Sequence, residues 1–508
     1  MTSAALFNLG DMQRLPAHGE SGAVVDLRDE RRAQRFNAFE LDALCRAVSR
    51  GLARRGIAKG ARIGILSENR HEFLACYFGI MRSGAVAVPV NHKLPASTID
   101  YIFEDSGIEL SFCDAPRRPM VPTTVPAIEF DATDGDGFAQ FLDPGGSQVL
   151  RPEESELAEI LYTSGSTGRP KGVPLSHAGQ VWAIERYLTP LPATPPSDRT
   201  LIVAPLYHMN ALFNITVALA ERVEVIMLPR FEARRYLEAV AHHRCTLLSG
   251  IPTMFALMVR ERDLTETLDL GSVRHVTIGS APLTDALLTQ VKSLFPNADV
   301  ENGYGTTEAG PAVFGPHPGG LPRPPLSLGY PLPDIGCELV DGESPDQGVL
   351  ALRTKALMHG YLNLPAATAA RMRDGWYLTG DIMRRDAAGF YYFVGRADDM
   401  FVCGGENIYP GEVEKLLERH PDIAQAIVVA APDDIKGQIP VAFIVPRSGS
   451  NPTVAEIKRY TLAEGPAYAH PRFVEFLASL PVSGTHKIDR TALTFEAARI
   501  VKAAGRSH

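Results

Sequence analysis

The sequence predicts an α/β protein. A large N-terminal domain holds two α/β sheet subdomains plus a small β-rich subdomain, and a smaller α+β C-terminal lid domain follows. Three observations carry this reading. Strand–helix–strand spacing recurs in two blocks before residue 310. A Pro- and Gly-dense stretch with short alternating strands comes next, and a compact mixed unit begins near Asp398. At 508 residues the chain is too long for one ordinary domain of about 100–200 residues.

The first block opens with Leu41, Leu44, Val48 and Leu52 at helical spacing, with Gly56 as its stop. Arg62–Leu66 reads as a buried strand, Asn69 as an N-cap, Glu72–Met81 as a helix and Ala85–Val90 as the next strand. That order implies parallel strands joined by a crossover helix. The pattern returns at Val223–Leu228, Ala233–His243 and Thr246–Ser249, then at Val273–Ile278, Asp285–Phe295 and Asp299–Asn302. The two blocks divide near residue 180. Pro311–Pro333 reads as loop, and Val349–Arg353 and Phe390–Val394 as strands of the β-rich unit. The lid is expected to hold a hairpin at Gly404-Gly405, helices Gly411–His420 and Val454–Ala463, and strands Ala426–Ala430 and Val441–Val445. These elements set the expected division into a body over 1–395 and a lid over 400–508.

Composition narrows the function. The hydrophobic share is 45% and the charged share 21%, ordinary for a globular chain with large cores. A net charge of −9 gives no global attraction to nucleic acid or anionic lipid, so any phosphate must be held locally. The six cysteines stand far apart without a CxxC pair, which argues against zinc ribbons and disulfide frameworks. Leu201–Ala220 lacks Asp, Glu, Lys and Arg and is long enough to span a bilayer. Yet Pro205, Tyr207, His208, Asn210 and Asn214 would be costly there, so it reads as a buried strand–turn–helix. A cytoplasmic chain without a membrane span is expected.

The strongest chemical signal is Tyr162-Thr163-Ser164-Gly165-Ser166-Thr167-Gly168-Arg169-Pro170-Lys171-Gly172. Glycines let backbone N–H groups approach an anion, hydroxyls add donors, and Lys171 adds a point charge, which together make a polyphosphate cradle. A surface linker is the plainer alternative, but Glu159–Tyr162 reads as a strand feeding the loop. It is not the GxxxxGK[ST] loop, because Pro170 precedes Lys171 and no Ser or Thr follows.

This segment resembles the signature of the adenylate-forming superfamily, which includes acyl-CoA synthetases, amino-acid adenylation domains and beetle luciferases. The resemblance continues in order along the chain. It runs through Pro205-Leu206-Tyr207-His208, Gly279-Ser280-Ala281-Pro282, Asn302-Gly303-Tyr304-Gly305-Thr306-Thr307-Glu308 and Tyr377-Leu378-Thr379-Gly380-Asp381. Gly395-Arg396, Gly404-Gly405-Glu406-Asn407-Ile408-Tyr409-Pro410 and Lys487-Ile488-Asp489-Arg490 complete it. Any one motif is weak; the ordered set is specific.

The resemblance implies an ATP-dependent carboxylate–CoA ligase working through an acyl-adenylate. Its substrates would be ATP, coenzyme A and a small carboxylic acid, with Mg²⁺ on Glu308. Nucleotide binding then falls to Thr163, Ser164, Gly165, Ser166, Thr167, Gly168 and Lys171, and to Gly279, Ser280, Ala281 and Pro282. Asn302, Gly303, Tyr304, Gly305, Thr306, Thr307, Asp381, Arg396 and Lys487 join them. Tyr304, between glycines, would offer a face to adenine. Asp381 would accept from ribose hydroxyls, and Thr307 would bond the α-phosphate. Lys487, His208, Thr307 and Glu308 are the implied catalytic set. A positioned ammonium at Lys487 would stabilise charge developing as carboxylate attacks the α-phosphate. Tyr207, His208, Met209, Asn210, Ile251, Met254, Ser280 and Gly303 are expected to wall the acyl pocket, and Gly404-Gly405 to line a pantetheine tunnel. The resemblance also implies a hinge at 396–399 around Asp398.

Plainer readings exist for each: a core histidine, a helix-start acid, a turn-stabilising Asp, a solvated tail lysine. An adenylating enzyme with a non-CoA acceptor is the alternative function, and a nucleotide sensor without turnover is a third. The absence of Asp and Glu from Leu201–Ala220 counts against an amino-acid substrate. Two departures from the family pattern stand out: His486 where Gly usually precedes the lysine, and Val349 where Glu is usual.

Overall fold

The computed structural model describes residues 7–11, 22–29, 32–133, 135, 137–146, 149–163, 169–191, 195, 197–403, 406–433, 436–467, 469–482 and 487–505. Two α/β sheets form most of the body. The first has six strands in the order Ala127–Glu129, Ile108–Cys113, Arg62–Leu66, Val86–Pro89, Leu157–Thr163 and Lys171–Ser176. All its pairings are parallel except the last, where Thr163 sits opposite Lys171. Its strands are buried on both faces, which is why they read as unbroken apolar runs.

The second sheet has seven strands: Asp299–Gly303, His275–Gly279, Leu247–Gly250, Arg199–Ile202, Glu224–Met227, Gly22–Asp26 and Gln34–Asn37. Its last two members were not anticipated. They precede the legible helical pattern, and Gly22–Asp26 finds its parallel partner only at Glu224–Met227. Elsewhere the expected elements occur with shifts of a few residues. The first helix runs Ala38–Arg54, its start fixed by a capping box between Asn37 and Glu40. Leu201–Ala220 resolves into strand Arg199–Ile202, a turn and helix Met209–Ala220. Among the described residues no helix is long and apolar enough to cross a membrane. All six cysteines are free thiols.

One capping expectation fails. Arg70, not Asn69, precedes helix His71–Arg82 as its N-cap. Asn69 is buried and spends its side chain between the blocks: Nδ2 donates to Ala204 O (3.0 Å) and Leu228 O (3.2 Å), and Oδ1 accepts from Leu206 N (2.9 Å). Beside it, Arg70 forks onto Glu72 and Asp131 while His71 Nδ1 meets Asp26 Oδ2 at 2.9 Å. The buried Asp26–His71–Glu72 cluster is thus occupied by its own ion pairs, and the seam between the sheets is polar but satisfied.

The loop expected at Pro311–Pro333 contains two short paired strands, Phe314–Gly315 and Tyr330–Pro331. A five-stranded antiparallel sheet follows, containing Gly336–Ser344, Gln347–Arg353, Met372–Arg373, Trp376–Arg385 and Tyr391–Arg396. The C-terminal unit has its own core, running from Phe401 to Ala497. There Ile423–Asp433 and Gly437–Pro446 form a long hairpin, backed by helices Pro410–Glu418, Val454–Glu464 and Arg490–Gly505. Strands Phe401–Cys403 and Glu406–Ile408 pair antiparallel, whereas the Gly404-Gly405 link lies outside the described residues.

Candidate active site

The body and the C-terminal unit meet over a cleft of about 2310 Å³ at the C-terminal ends of the parallel strands. Open α/β sheets bind ligands at that edge. Thr163 and Lys171 border the cleft at the ends of paired strands. Ser164, Gly165, Ser166, Thr167 and Gly168, the centre of the expected cradle, lie outside the described residues. Lys171 Nζ stands 5.0 Å from the centroid of the Tyr361 ring. The Tyr361 hydroxyl donates to Glu308 Oε1 (3.0 Å) and lies 3.4 Å from the Tyr377 hydroxyl. Burial pushes the Glu308 carboxyl above its ordinary value, opposed by the Tyr361 bond and the Arg396 charge. Among the described residues it makes no ion pair. A buried hard-oxygen donor facing the cleft suits a divalent cation.

The segment from Asn302 to Glu308 turns tightly. Thr306 and Gly310 exchange backbone hydrogen bonds, and a Cβ on Gly305 would strike Pro311 O at 2.0 Å, so glycine is obligatory there. Ser280 sits in the left-handed region (φ 62°) at the end of strand His275–Gly279, where the neighbouring Gly279 packs on Gly303. Ala281, Pro282, Thr306 and Thr307 border the cleft close by. Asn302 also borders the cleft, and its Nδ2 donates to Leu326 O (3.0 Å), bracing a loop.

Tyr304 borders the cleft with its ring tilted against Phe314, centroids 5.8 Å apart, and its hydroxyl donates to Asp381 Oδ2. The other Asp381 oxygen accepts from Arg396 Nη1 at 2.7 Å. Burial raises the Asp381 carboxyl against the pull of Arg396 and Tyr304. Arg396 also reaches Asp398 Oδ2 (3.1 Å), which Arg371 Nη2 holds from the other side at 2.7 Å. Sequence reasoning missed Arg371 and Tyr361: neither lies in a motif, and only the fold brings them to the cleft.

Lys487 reaches in from the C-terminal unit. It faces the cleft's solvent yet is enclosed by protein, and among the described residues it makes no hydrogen bond or ion pair. That enclosure lowers its ammonium, with Asp381 opposing and Arg396 assisting. His486 lies outside the described residues. His208, at the N-terminus of helix Met209–Ala220, is pushed down to about 3 by burial first and then by Lys487 and Lys93. It is therefore neutral at physiological pH, with Nε2 buried and unpartnered. Tyr207, Met209, Asn210, Ile251, Met254, Ser280 and Gly303 line the same cleft, with Met254 also in the core beneath the second sheet.

Paired strands ending at Thr163 and starting at Lys171, a buried acid at Glu308 and a lysine supplied by the C-terminal unit share one cleft. Residues 13–362 match the AMP-binding enzyme family and residues 412–487 its AMP-binding enzyme C-terminal domain, so the chain belongs to that family. Its fold is that of the adenylate-forming acyl-CoA synthetases. A feruloyl-CoA synthase from an Amycolatopsis species is 31% identical over 463 residues, covering 88% of this chain and 91% of that protein. The fatty acid–[acyl-carrier-protein] ligase ScoC of Streptomyces coeruleorubidus is 30% identical, with 88% of each chain covered. ATP-bound MatB from Rhodopseudomonas palustris superposes with a TM-score of 0.88 at 26% identity, over 97% of this chain and 99% of that one.

Proposed function

We propose that this protein is an ATP-dependent carboxylate–CoA ligase. A carboxylate oxygen attacks the α-phosphorus of ATP, the bond to the β-phosphate bridging oxygen breaks, and pyrophosphate leaves. The CoA sulfur then attacks the acyl carbonyl and AMP departs with the carboxylate oxygen. The observation that carries this reading is the approach of Lys487, from the lid, to Asp381, Arg396 and His208 in one cleft. An ammonium with no hydrogen bond or ion pair among the described residues is free to stabilise the charge that builds on the α-phosphate.

Neutral His208 meets the carboxylate as a hydrogen-bonding group rather than a competing cation, and Thr307 bonds the α-phosphate. Thr163, Lys171 and the loop between them hold the outer phosphates. Asp381 retains lone pairs for ribose hydroxyls beyond its two present bonds, and Tyr304 borders the adenine on its free side. Glu308 would hold Mg²⁺, which supplies charge neutralisation on the polyphosphate. The division into body 1–395, hinge 396–399 and lid 400–508 belongs to this proposal. After adenylation the lid swings at Asp398, withdraws Lys487 and brings Gly404-Gly405 to the pantetheine.

The test is incubation of purified protein with ATP, Mg²⁺, CoA and a panel of carboxylic acids. AMP, pyrophosphate and acyl-CoA should appear in equal amounts. The ScoC relationship supports one second reading, a carrier-protein thiol as acceptor. Acid-dependent pyrophosphate release without any acyl-CoA would favour it.

A further inference from the structure

From a set of groups that no motif contains, we infer the chemical class of the acid: an aryl carboxylic acid carrying a neutral hydrogen-bonding substituent at the end remote from its carboxylate. The inference rests on the ligase reading above. Strands His275–Gly279 and Asp299–Gly303 run side by side with Gly279 opposite Gly303 and Thr277 opposite Glu301. Alternate residues share one face of a strand, so all four belong to the same wall. A Cβ on Gly303 would meet the Thr277 methyl at 2.8 Å and one on Gly279 the Gly303 carbonyl oxygen at 2.8 Å, so beside Tyr304 this cleft wall is backbone and one methyl group, with no larger side chain from either glycine. A planar ring fits such a wall better than a kinked chain.

Two residues deeper, about 6.7 Å at the usual strand rise, the wall becomes polar. Arg323 Nη1 stands 3.4 Å from Glu301 Oε2, and Thr277 Oγ1 meets His275 Nε2 at 3.1 Å. Helix Met209–Ala220 presents Asn210, Phe213 and Asn214 to the same cleft, at spacings that share one helix face. Tyr187 packs edge-on against Phe213, with centroids 5.2 Å apart, and lies within electrostatic reach of Glu301 and Arg323. It closes the slot with an aromatic edge and a hydroxyl that has no hydrogen-bond partner among the described residues. Asn214 donates to Asn210 O (2.7 Å) and Oδ1 (3.2 Å), so its own carbonyl oxygen remains open as an acceptor.

The deep end therefore offers one donor-acceptor hydroxyl and one amide oxygen to a ligand. An alkyl tail would leave both unpaired and dehydrated, which disfavours fatty acids. A second carboxylate is disfavoured as well. Arg323, the cation beside this wall, is already paired with Glu301, whose own charge would repel it. A phenolic hydroxyl or aryl amine satisfies both groups.

The experiment measures acid-dependent ATP–pyrophosphate exchange for benzoate, cinnamate, their 4-hydroxy and 4-amino derivatives, octanoate, palmitate and glutarate. The hydroxylated or aminated aryl acids should exceed their unsubstituted parents at least ~10-fold in kcat/KM, as sites built to bond a polar group reject analogues lacking it. Tyr187→Phe and Asn214→Leu should each collapse that ratio toward one. Because both acids are measured on one preparation, the ratio is independent of how much variant folds. A ratio near one in the parent, a ratio unmoved by both substitutions, or a preference for octanoate, palmitate or glutarate would overturn the inference while leaving the ligase intact. No exchange with any acid would instead remove the ligase reading, and the inference with it.

Discussion

The two sides of the cleft are built on opposite principles. On the body side, Asp381 is held by Tyr304 and Arg396, Glu308 by Tyr361, and Asp398 by Arg371 and Arg396. On the lid side, Lys487 has neither ion pair nor hydrogen bond among the described residues. A side chain that must enter and leave between two half-reactions gains from carrying no partner to break. The fixed side gains from having these carboxylates already oriented, since preorganised groups need no rearrangement as charge develops.

If that contrast is functional, Lys487→Ala should have the largest effect. Acyl-adenylate formation is expected to fall ~10²–10³-fold, the range for losing one transition-state donor. Thioester formation from supplied acyl-adenylate should fall far less, and single-turnover assays of each half-reaction separate the two. Equal losses in both would place the lysine among the fixed groups.

The body holds an exception to its own rule, and it does not border the cleft. Glu159 is fully buried with only the Tyr77 hydroxyl as partner (2.9 Å), and burial raises it to about 7. Its folded value lies above its unfolded one, so the stability it contributes is fully present below pH ~4.5 and lost as pH rises through about 7. The gap converts to about 3 kcal/mol. Glu159→Gln should raise the thermal midpoint at pH 8 and flatten the pH dependence between those limits; an unchanged pH profile by calorimetry would refute this.

Asp381→Asn tests the fixed side directly. It keeps the Tyr304 contact but removes the charged bond to Arg396, leaving Asp398 as that arginine's carboxylate partner, and kcat/KM for ATP should fall ~10–100-fold, as for loss of a charged hydrogen bond. The smallest effect is expected at Asp398, which is partly exposed and so only weakly stabilised by its arginines. Asp398→Ala should alter the thioester half-reaction by ~2–5-fold and leave ATP–pyrophosphate exchange nearly unchanged. A larger loss in exchange than in thioester formation would count against a hinge at this position.

The contrast also explains what could be read beforehand. Motifs are local, and the local signals gave the strand that ends at Thr163, the Asn302–Glu308 turn and most helices within a few residues. Signals that depend on distant chain were silent. Asn69 looks like a helix cap until Ala204, Leu206 and Leu228 surround it. Tyr304 looks free until Phe314 packs against its ring and Asp381 takes its hydroxyl. Tyr187, Asn214 and Arg323 carry no pattern at all, because a pocket's floor is assembled from whichever side chains three separate elements bring together.

The pairing of Val24 with Val225 has a consequence in time. During synthesis about 200 residues separate the two strands, and at ~5–20 residues per second the N-terminal hairpin waits roughly 10–40 s for its neighbour. Throughout that interval an apolar strand edge stands open, the condition under which strands pair wrongly with other chains. The second sheet, and with it the floor of the acid pocket, is thus the part of the molecule whose yield should depend most on temperature and expression rate.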